Sequence, residues 1–274
     1  MNDSRLWYTR VCINLERESK QKFRGRGMEL IIGLSTIFVS GALLSIWEIK
    51  DPIQRIEYRS QFLKDLIAAI LSLASMLIVA YVSLPVVKLI VSPSILESPI
   101  WTTILSLPLW IRLIVAYILR DFSFYLMHWA MHASSFLWPA HRWHHSIRHV
   151  WWLSGKRTSL TCWLLYRFAP LWFLLLEIPP EIMILSVIHA GIHDNWVHLN
   201  VKPRAWMSVI EWVLVTPRYH RIHHYHPEGK NMGSIFTFFD RLFGTYVNPQ
   251  GFDFNNPELD FIEGEIEVKS VLGI

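Results

Sequence analysis

Two stretches of the chain run without a charge for longer than a soluble helix needs: Leu30 to Trp47, 18 residues, and Leu66 to Val87, 22 residues. A helix over either would rise about 30 Å, the thickness of a bilayer's hydrocarbon core. A backbone amide inside that core finds no water, so such a run has to satisfy its own hydrogen bonds as a helix. The expected fold class is therefore an all-α integral membrane protein. Trp47 closes the first run at the depth where Trp residues favour the interface, and Pro85 breaks the second near its end. Composition agrees, with 52% hydrophobic residues, 14 Trp and only 18% charged residues. The formal charge of +4 comes from residues in the gaps between apolar runs, as in loops against anionic lipid. With no basic stripe, nucleic acid is excluded as a partner. Cys12 and Cys162 lack CxxC spacing, so no disulfide framework or thiolate metal site is expected.

The chain turns apolar again from Ile100 to Met127, where Pro108, Arg112, Arg120 and Asp121 predict one tilted helix preceded by an interfacial turn. Trp163 to Ile178 and Ile182 to Trp196 form shorter runs, and Pro179 and Pro180 between them predict a helical hairpin. Residues 1 to 27 carry Arg5, Arg10, Arg17, Lys20, Lys22, Arg24 and Arg26 without a cleavage site, which predicts a retained, cytoplasmic basic arm. The loops holding Arg142, Arg148, Lys156 and Arg157 are cytoplasmic by the same charge rule. Three full crossings between arm and loops cannot satisfy both. Either one of the first three runs is interfacial or re-entrant, or the amino terminus lies outside.

Thirteen histidines are too many for a chain of 274 residues, and most fall in a few short windows. His128 and His132 form HxxxH, so both imidazoles share one helical face. His141, His144 and His145 form HxxHH, and His220, His223 and His224 repeat it. Between the repeats, His193 and His198 form HxxxxH, with His189 at i−4 from His193 as a substitute ligand. Ten imidazoles exceed the four of a structural zinc site and suit two metals of higher coordination number. Imidazole ligation with open positions accommodates iron, while affinity alone favours copper and leaves zinc open. A metal transporter would need ligands spread through the bilayer thickness, whereas these lie at helix ends on one face.

The segments Asp121 to His132 (DFSFYLMHWAMH), His141 to Ser146 (HRWHHS), Thr216 to His224 (TPRYHRIHH) and Asn231 to Tyr246 (NMGSIFTFFDRLFGTY) resemble the fatty acid hydroxylase and sterol desaturase superfamily. The likeness covers residues 105 to 247. HDNWVH, His193 to His198, is similar to the matching motif of bacterial carotene hydroxylases in that superfamily. Trp129 departs from the pattern, since many relatives have a basic residue after the first histidine.

The resemblance implies two iron ions held by His128, His132, His141, His144, His145, His193, His198, His220, His223 and His224, with zinc as a substitute in purified protein. It implies molecular oxygen as co-substrate and a lipid drawn from the bilayer, such as an acyl chain or sterol. It also implies electrons from a b-type cytochrome or ferredoxin with its reductase. Hydroxylation is expected, with desaturation or carotenoid hydroxylation at the same site as alternatives. Asp121, two helical turns before His128, is expected either to accept an imidazole N–H or to pair with Arg120 or Arg112. Asp194 is expected either to orient the middle ligands or to cap the hairpin's return helix. The chain then divides into a basic arm with two apolar helices (1–99), a catalytic domain (100–247) and a peripheral tail (248–274). The enzyme would be a multi-pass protein with its catalytic cap facing the cytosol.

Overall fold

The computed structural model describes residues 20–147, 149–225, 228–254 and 267–274, with side chains from residue 31 onward. Most of the basic arm, His226 and the middle of the tail lie outside the described residues. What is described is helical, and its only strand-like feature is an isolated antiparallel bridge between Leu214 and Phe236.

Helix α1 (Lys20–Lys50) and helix α2 (Tyr58–Val82) are the two described helices long and apolar enough to cross a membrane. The second is shorter than the apolar run predicts at its C-terminal end. It stops at Ser83, and Pro85 sits in the first turn of a separate helix, α3 (Leu84–Ile90), where a missing N–H costs nothing. Helices α4 (Pro93–Leu96) and α5 (Pro99–Leu105) follow, each opened by a proline. The segment Leu84–Leu96 meets Pro99–Leu105 at 91°, as a broken span or a re-entrant loop would.

Within the run from Ile100 to Met127 a turn precedes one long helix, as Pro108 predicts. Ser106 to Pro108 break the run, and α6 (Leu109–Ala133) begins at the residue after Pro108. Helix α6 carries Asp121, His128 and His132, and α7 (Trp138–His145) carries the next three candidate ligands. A 3-10 turn at Ser154–Lys156 leads to α8 (Leu160–Tyr166) and α9 (Leu171–Leu175). The first arm of the predicted hairpin is thus two short helices, interrupted around Arg167 to Pro170. Its return arm is a single helix, α10 (Pro180–Val197), with Pro180 at its first position. Helices α11 (Met207–Ile210), α12 (Pro217–Tyr225), α13 (Phe238–Phe243) and α14 (Val268–Leu272) complete the chain.

Helix α10 packs along α1, closely enough that a Cβ at Gly191 would fall 2.4 Å from Ile37 Cδ1. Small residues at such crossings let apolar helices gain dispersion contact where water supplies no driving force. Asn195 fastens the same crossing, donating from Nδ2 to the Ile37 carbonyl (2.7 Å) and to Ser40 Oγ (2.9 Å).

Polar contacts at the helix ends show which ends meet the histidine loops. At the end of α1, buried Glu48 accepts N–H bonds from Trp152 (3.2 Å) and Asn200 (2.8 Å). Near the start of α2, buried Asp65 accepts from Arg157 and from Trp151 Nε1 (2.6 Å). At the other end of α2, Arg167 donates to Ser83 Oγ (2.9 Å). The loop joining α1 to α2 is therefore on the histidine side of the molecule, and the α2–α3 junction is on the far side.

Candidate metal centre

The HxxHH motifs sit on short helices, α7 and α12, and spacing alone turns their imidazoles inward together. Helix α6 supplies His128 and His132 from its last two turns, and His198 caps the C-terminal end of α10. These four segments bring nine histidines into two adjoining groups. His128, His132, His141, His145 and His223 form one, and His144, His198, His220 and His224 form the other. Within each group the ligand nitrogens lie within 4.8 Å of one another. The groups abut, with the His145 and His224 ring centroids 4.9 Å apart. Each HxxHH therefore divides its residues between the two groups. From α7, His141 and His145 enter the first and His144 the second; from α12, His223 enters the first and His220 and His224 the second.

The outward nitrogens fix the tautomers. His128 Nδ1 donates to the Met232 carbonyl (2.8 Å), His223 Nδ1 to Lys230 (2.9 Å), His144 Nδ1 to Arg157 (3.3 Å) and His198 Nδ1 to Asp194 (2.8 Å). A carbonyl only accepts, so in each ring the proton is on Nδ1 and Nε2 is a bare lone pair aimed inward. His144 and His198 then face each other at 3.4 Å between two Nε2 atoms with no hydrogen to share. In three more pairs one member is such a bare Nε2: that of His128 faces His141 Nε2 at 2.8 Å, that of His223 faces His145 at 2.9 Å and that of His198 faces His220 at 3.0 Å. Converging lone pairs repel unless a cation lies among them, and outward N–H bonds to carbonyls are the usual support of metal-binding imidazoles. This donor set fits a pair of metal ions.

Burial reinforces the arrangement. It holds His141, His145, His220, His223 and His224 well below the usual histidine range, with repulsion from neighbouring imidazoles adding to it. His144 is pushed down to about 3 by the same causes. Neutral imidazole is the form that binds metal.

The remaining candidates stand apart from the two groups. His193 belongs to neither; it bonds to the Ser234 backbone, and its Nε2 is buried without a hydrogen-bond partner. His189 is exposed, packs its ring on Tyr117 (5.9 Å) and likewise belongs to neither group. Asp121 does not reach an imidazole. Its carboxylate accepts from Ile235 N (3.1 Å), Phe236 N (2.9 Å) and Arg120 (3.2 Å), which pins the 235–236 backbone to α6. Asp194 bears on His198 through its main-chain carbonyl, and its side chain, 3.4 Å from the same Nδ1, pairs with Lys156.

Several residues support the ligands from outside the two groups, Asp240 among them within the segment Asn231 to Tyr246 that carries the resemblance. Arg157, whose carbonyl holds His144, is clamped through Nε (3.0 Å) and Nη2 (2.7 Å) by Asp65, 92 residues away. Asp240 accepts from Met232 N, Gly233 N, Tyr219 Oη and Thr245 Oγ1, fixing the loop whose Met232 carbonyl orients His128. Cys162 Sγ lies 4.0 Å from His141 Nδ1.

Residues 113–245 match the model of the fatty acid hydroxylase family. The chain is 27% identical over 135 residues to an alkylglycerol monooxygenase of Xenopus tropicalis, covering 46% of this chain and 28% of that protein. It is 29% identical over 140 residues to an alkylglycerol monooxygenase of Danio rerio, covering 48% and 30%. It is also 28% identical over 149 residues to the ornithine lipid hydroxylase OlsE of Rhizobium tropici, covering 52% and 44%. The shared region thus spans less than half of each of these relatives. No solved structure matches.

Proposed function

We propose, from the match of residues 113–245 to the fatty acid hydroxylase family model, that the chain is a membrane-bound oxygenase that hydroxylates a lipid with molecular oxygen. The observation that carries this reading is the pair of groups, five and four histidines, whose ligand nitrogens converge within 4.8 Å of one another. A tetrahedral zinc would use at most four of them. Two adjoining ions use all nine, and imidazole ligation suits iron. The similar proteins named as an alkylglycerol monooxygenase and an ornithine lipid hydroxylase agree with hydroxylation of a lipid rather than desaturation.

Iron at the two groups would supply the activation of oxygen that breaking an unactivated C–H bond demands. The residues of the chain do the rest. The rings of His128, His144, His198 and His223 are held through Nδ1 to carbonyls, which commits these four to orientation rather than to proton transfer. The hydrogen bonds that Asp240, Asp65 and Glu48 accept keep the ligand segments from shifting. The apolar cluster of Met131, Ala140 and Cys162 lies behind His141 and excludes water on that side. His193 serves as a tenth ligand, on the four-histidine side, where its unpartnered Nε2 would find one. Electrons come from a separate b-type cytochrome or ferredoxin.

The protein is a membrane protein, with α1 and α2 crossing as a hairpin whose loop lies on the histidine side. By the charge of Arg142, Lys156 and Arg157 that side is the cytoplasmic one, and the start of α1 then lies on the opposite face. Of the two topologies left open by the charge rule, this is the one with the amino terminus outside. Residues 100–247 form the catalytic unit.

Anaerobic purification with metal quantification, followed by turnover on membrane lipid with oxygen and a reductant, tests the proposal. We expect about two irons per chain, a lipid product bearing one added oxygen, and loss of metal and product in His223→Ala and His220→Ala, one from each group. A single metal per chain, or product formation indifferent to both substitutions, would remove the proposal.

A further inference from the structure

Six bulky apolar side chains stand exposed on a part of the molecule that neither candidate span occupies: Trp206, Val209, Trp212, Val213, Leu242 and Phe243. They are not scattered. Thr237 N donates to the Val213 carbonyl (3.0 Å) and Val215 N to the Ile235 carbonyl (2.9 Å), joining the strip 205–214 to the strip 236–243 around the Leu214–Phe236 bridge. The inner side of this paired strip is buried through Met207, Glu211, Val215 and Phe239. Its outer side is apolar, yet α11 and α13 have four and six residues and cannot cross a membrane.

The surface continues to α1 at one end and to α6 at the other. Trp206 packs against Trp47 at the end of α1 (ring centroids 6.2 Å), and Phe243 stacks on Phe122 (6.0 Å) and Tyr125 (5.4 Å) of α6. Cations border it: Lys202 and Arg204 stand exposed beside Trp206, and the Arg241 guanidinium lies over the Trp212 ring at 5.4 Å. Tryptophan with flanking Lys and Arg is the composition of the bilayer's headgroup layer. A protein partner covering the same side chains would have to share an unbroken apolar surface with acyl chains around α1.

We propose that the paired strip 205–214 and 236–243 is a second membrane attachment, lying in the interfacial layer of the leaflet on the histidine side. The cap is then moored at its edge as well as by α1 and α2. Because α12 follows directly from the first strip, the mooring fixes the metal centre close to headgroup depth. This holds whether or not the chain is an oxygenase.

Nitroxide labels on the full chain, reconstituted into vesicles of phosphatidylcholine and phosphatidylglycerol, read the depth. Cys12→Ser provides the background, since Cys162 is buried. Val209→Cys and Leu242→Cys carry the labels, both at highly exposed positions, and Lys202→Cys is the aqueous control. Oxygen, which concentrates in hydrocarbon, is expected to relax the labels at 209 and 242 several-fold more than a water-soluble nickel chelate, with the order reversed at 202. Stronger relaxation by nickel at 209 and 242 would show that the strip faces water and would overturn the proposal. Weak relaxation by both agents would show it covered by protein, which overturns it equally.

Discussion

Gly155 lies directly beneath the His198 imidazole: a Cβ added there would fall 2.3 Å from the ring's Cγ and 2.6 Å from Nδ1. No side chain fits between the 3-10 turn and the ring without displacing one of them. Because His198 Nδ1 is held by the Asp194 carbonyl, the ring cannot swing aside and still present Nε2 to the four-histidine group. Gly155→Ala should cost about 1–3 kcal/mol as an overpacked site. It should also lower metal content at one ion, leaving the five-histidine group filled. Metal analysis beside a thermal melt checks this, and full occupancy of both ions would refute it.

The ion pair of Asp65 with Arg157 reaches the metal centre through one carbonyl. Both side chains are almost wholly buried, so removing the acid strands a guanidinium away from water. Asp65→Ala should destabilise the protein by about 3–5 kcal/mol. The loss should extend to His144, whose Nδ1 acceptor is the Arg157 carbonyl. Asp65→Glu, which keeps the charge, should recover more of the metal content than Asp65→Asn. Equal metal content in all three variants would mean that Arg157 does not position His144.

These two contacts mark where the sequence stops being legible. HxxHH is readable because 3.6 residues per turn places i and i+4 together whatever else the chain does. Nine of the ten histidines singled out by spacing and resemblance do converge. Gly155 and Asp65 are ordinary residues whose partners are distant in sequence, and nothing local announces them. Helix breaks are legible where a proline interrupts an apolar run, at Pro85 and Pro108, but the break at Arg167 to Pro170 falls inside a run whose composition stays apolar on both sides. Asp121 has the helical phase to meet His128, but two backbone N–H groups from residues 235 and 236 take its oxygens first.

Acid should unfold the metal-free protein before neutral pH does. His144 is held at about 3 against an ordinary 6.5. Between those values the unfolded chain takes up a proton that the folded one refuses. Stability is therefore complete above about 6.5 and declines as pH falls toward 3, by about 1.4 kcal/mol per pH unit for this one ring. The other buried imidazoles add in the same direction. Melting temperatures of chelator-treated protein from pH 7.5 to pH 4.5 should fall steadily, and a flat profile would contradict the burial of neutral histidines.

His193 allows a sharper separation. Its Nε2 is buried and has no hydrogen-bond partner, which suits a ligand, yet it is not among the four nitrogens that lie within 4.8 Å of one another. As an added ligand on an ion already held by His144, His198, His220 and His224, it would strengthen binding without being required for it. His193→Ala should keep both ions at purification but give up one about 10–100-fold more readily to a competing chelator, the penalty typical of losing a supporting group. His198→Ala should lack that ion from the start. His189→Ala should match the parent protein, because that ring faces outward against Tyr117. If His193→Ala loses its ion as completely as His198→Ala, His193 is a primary ligand and the four-histidine group is incomplete without it. If it holds both ions as tightly as the parent, the buried nitrogen serves the fold and the centre is built from nine imidazoles.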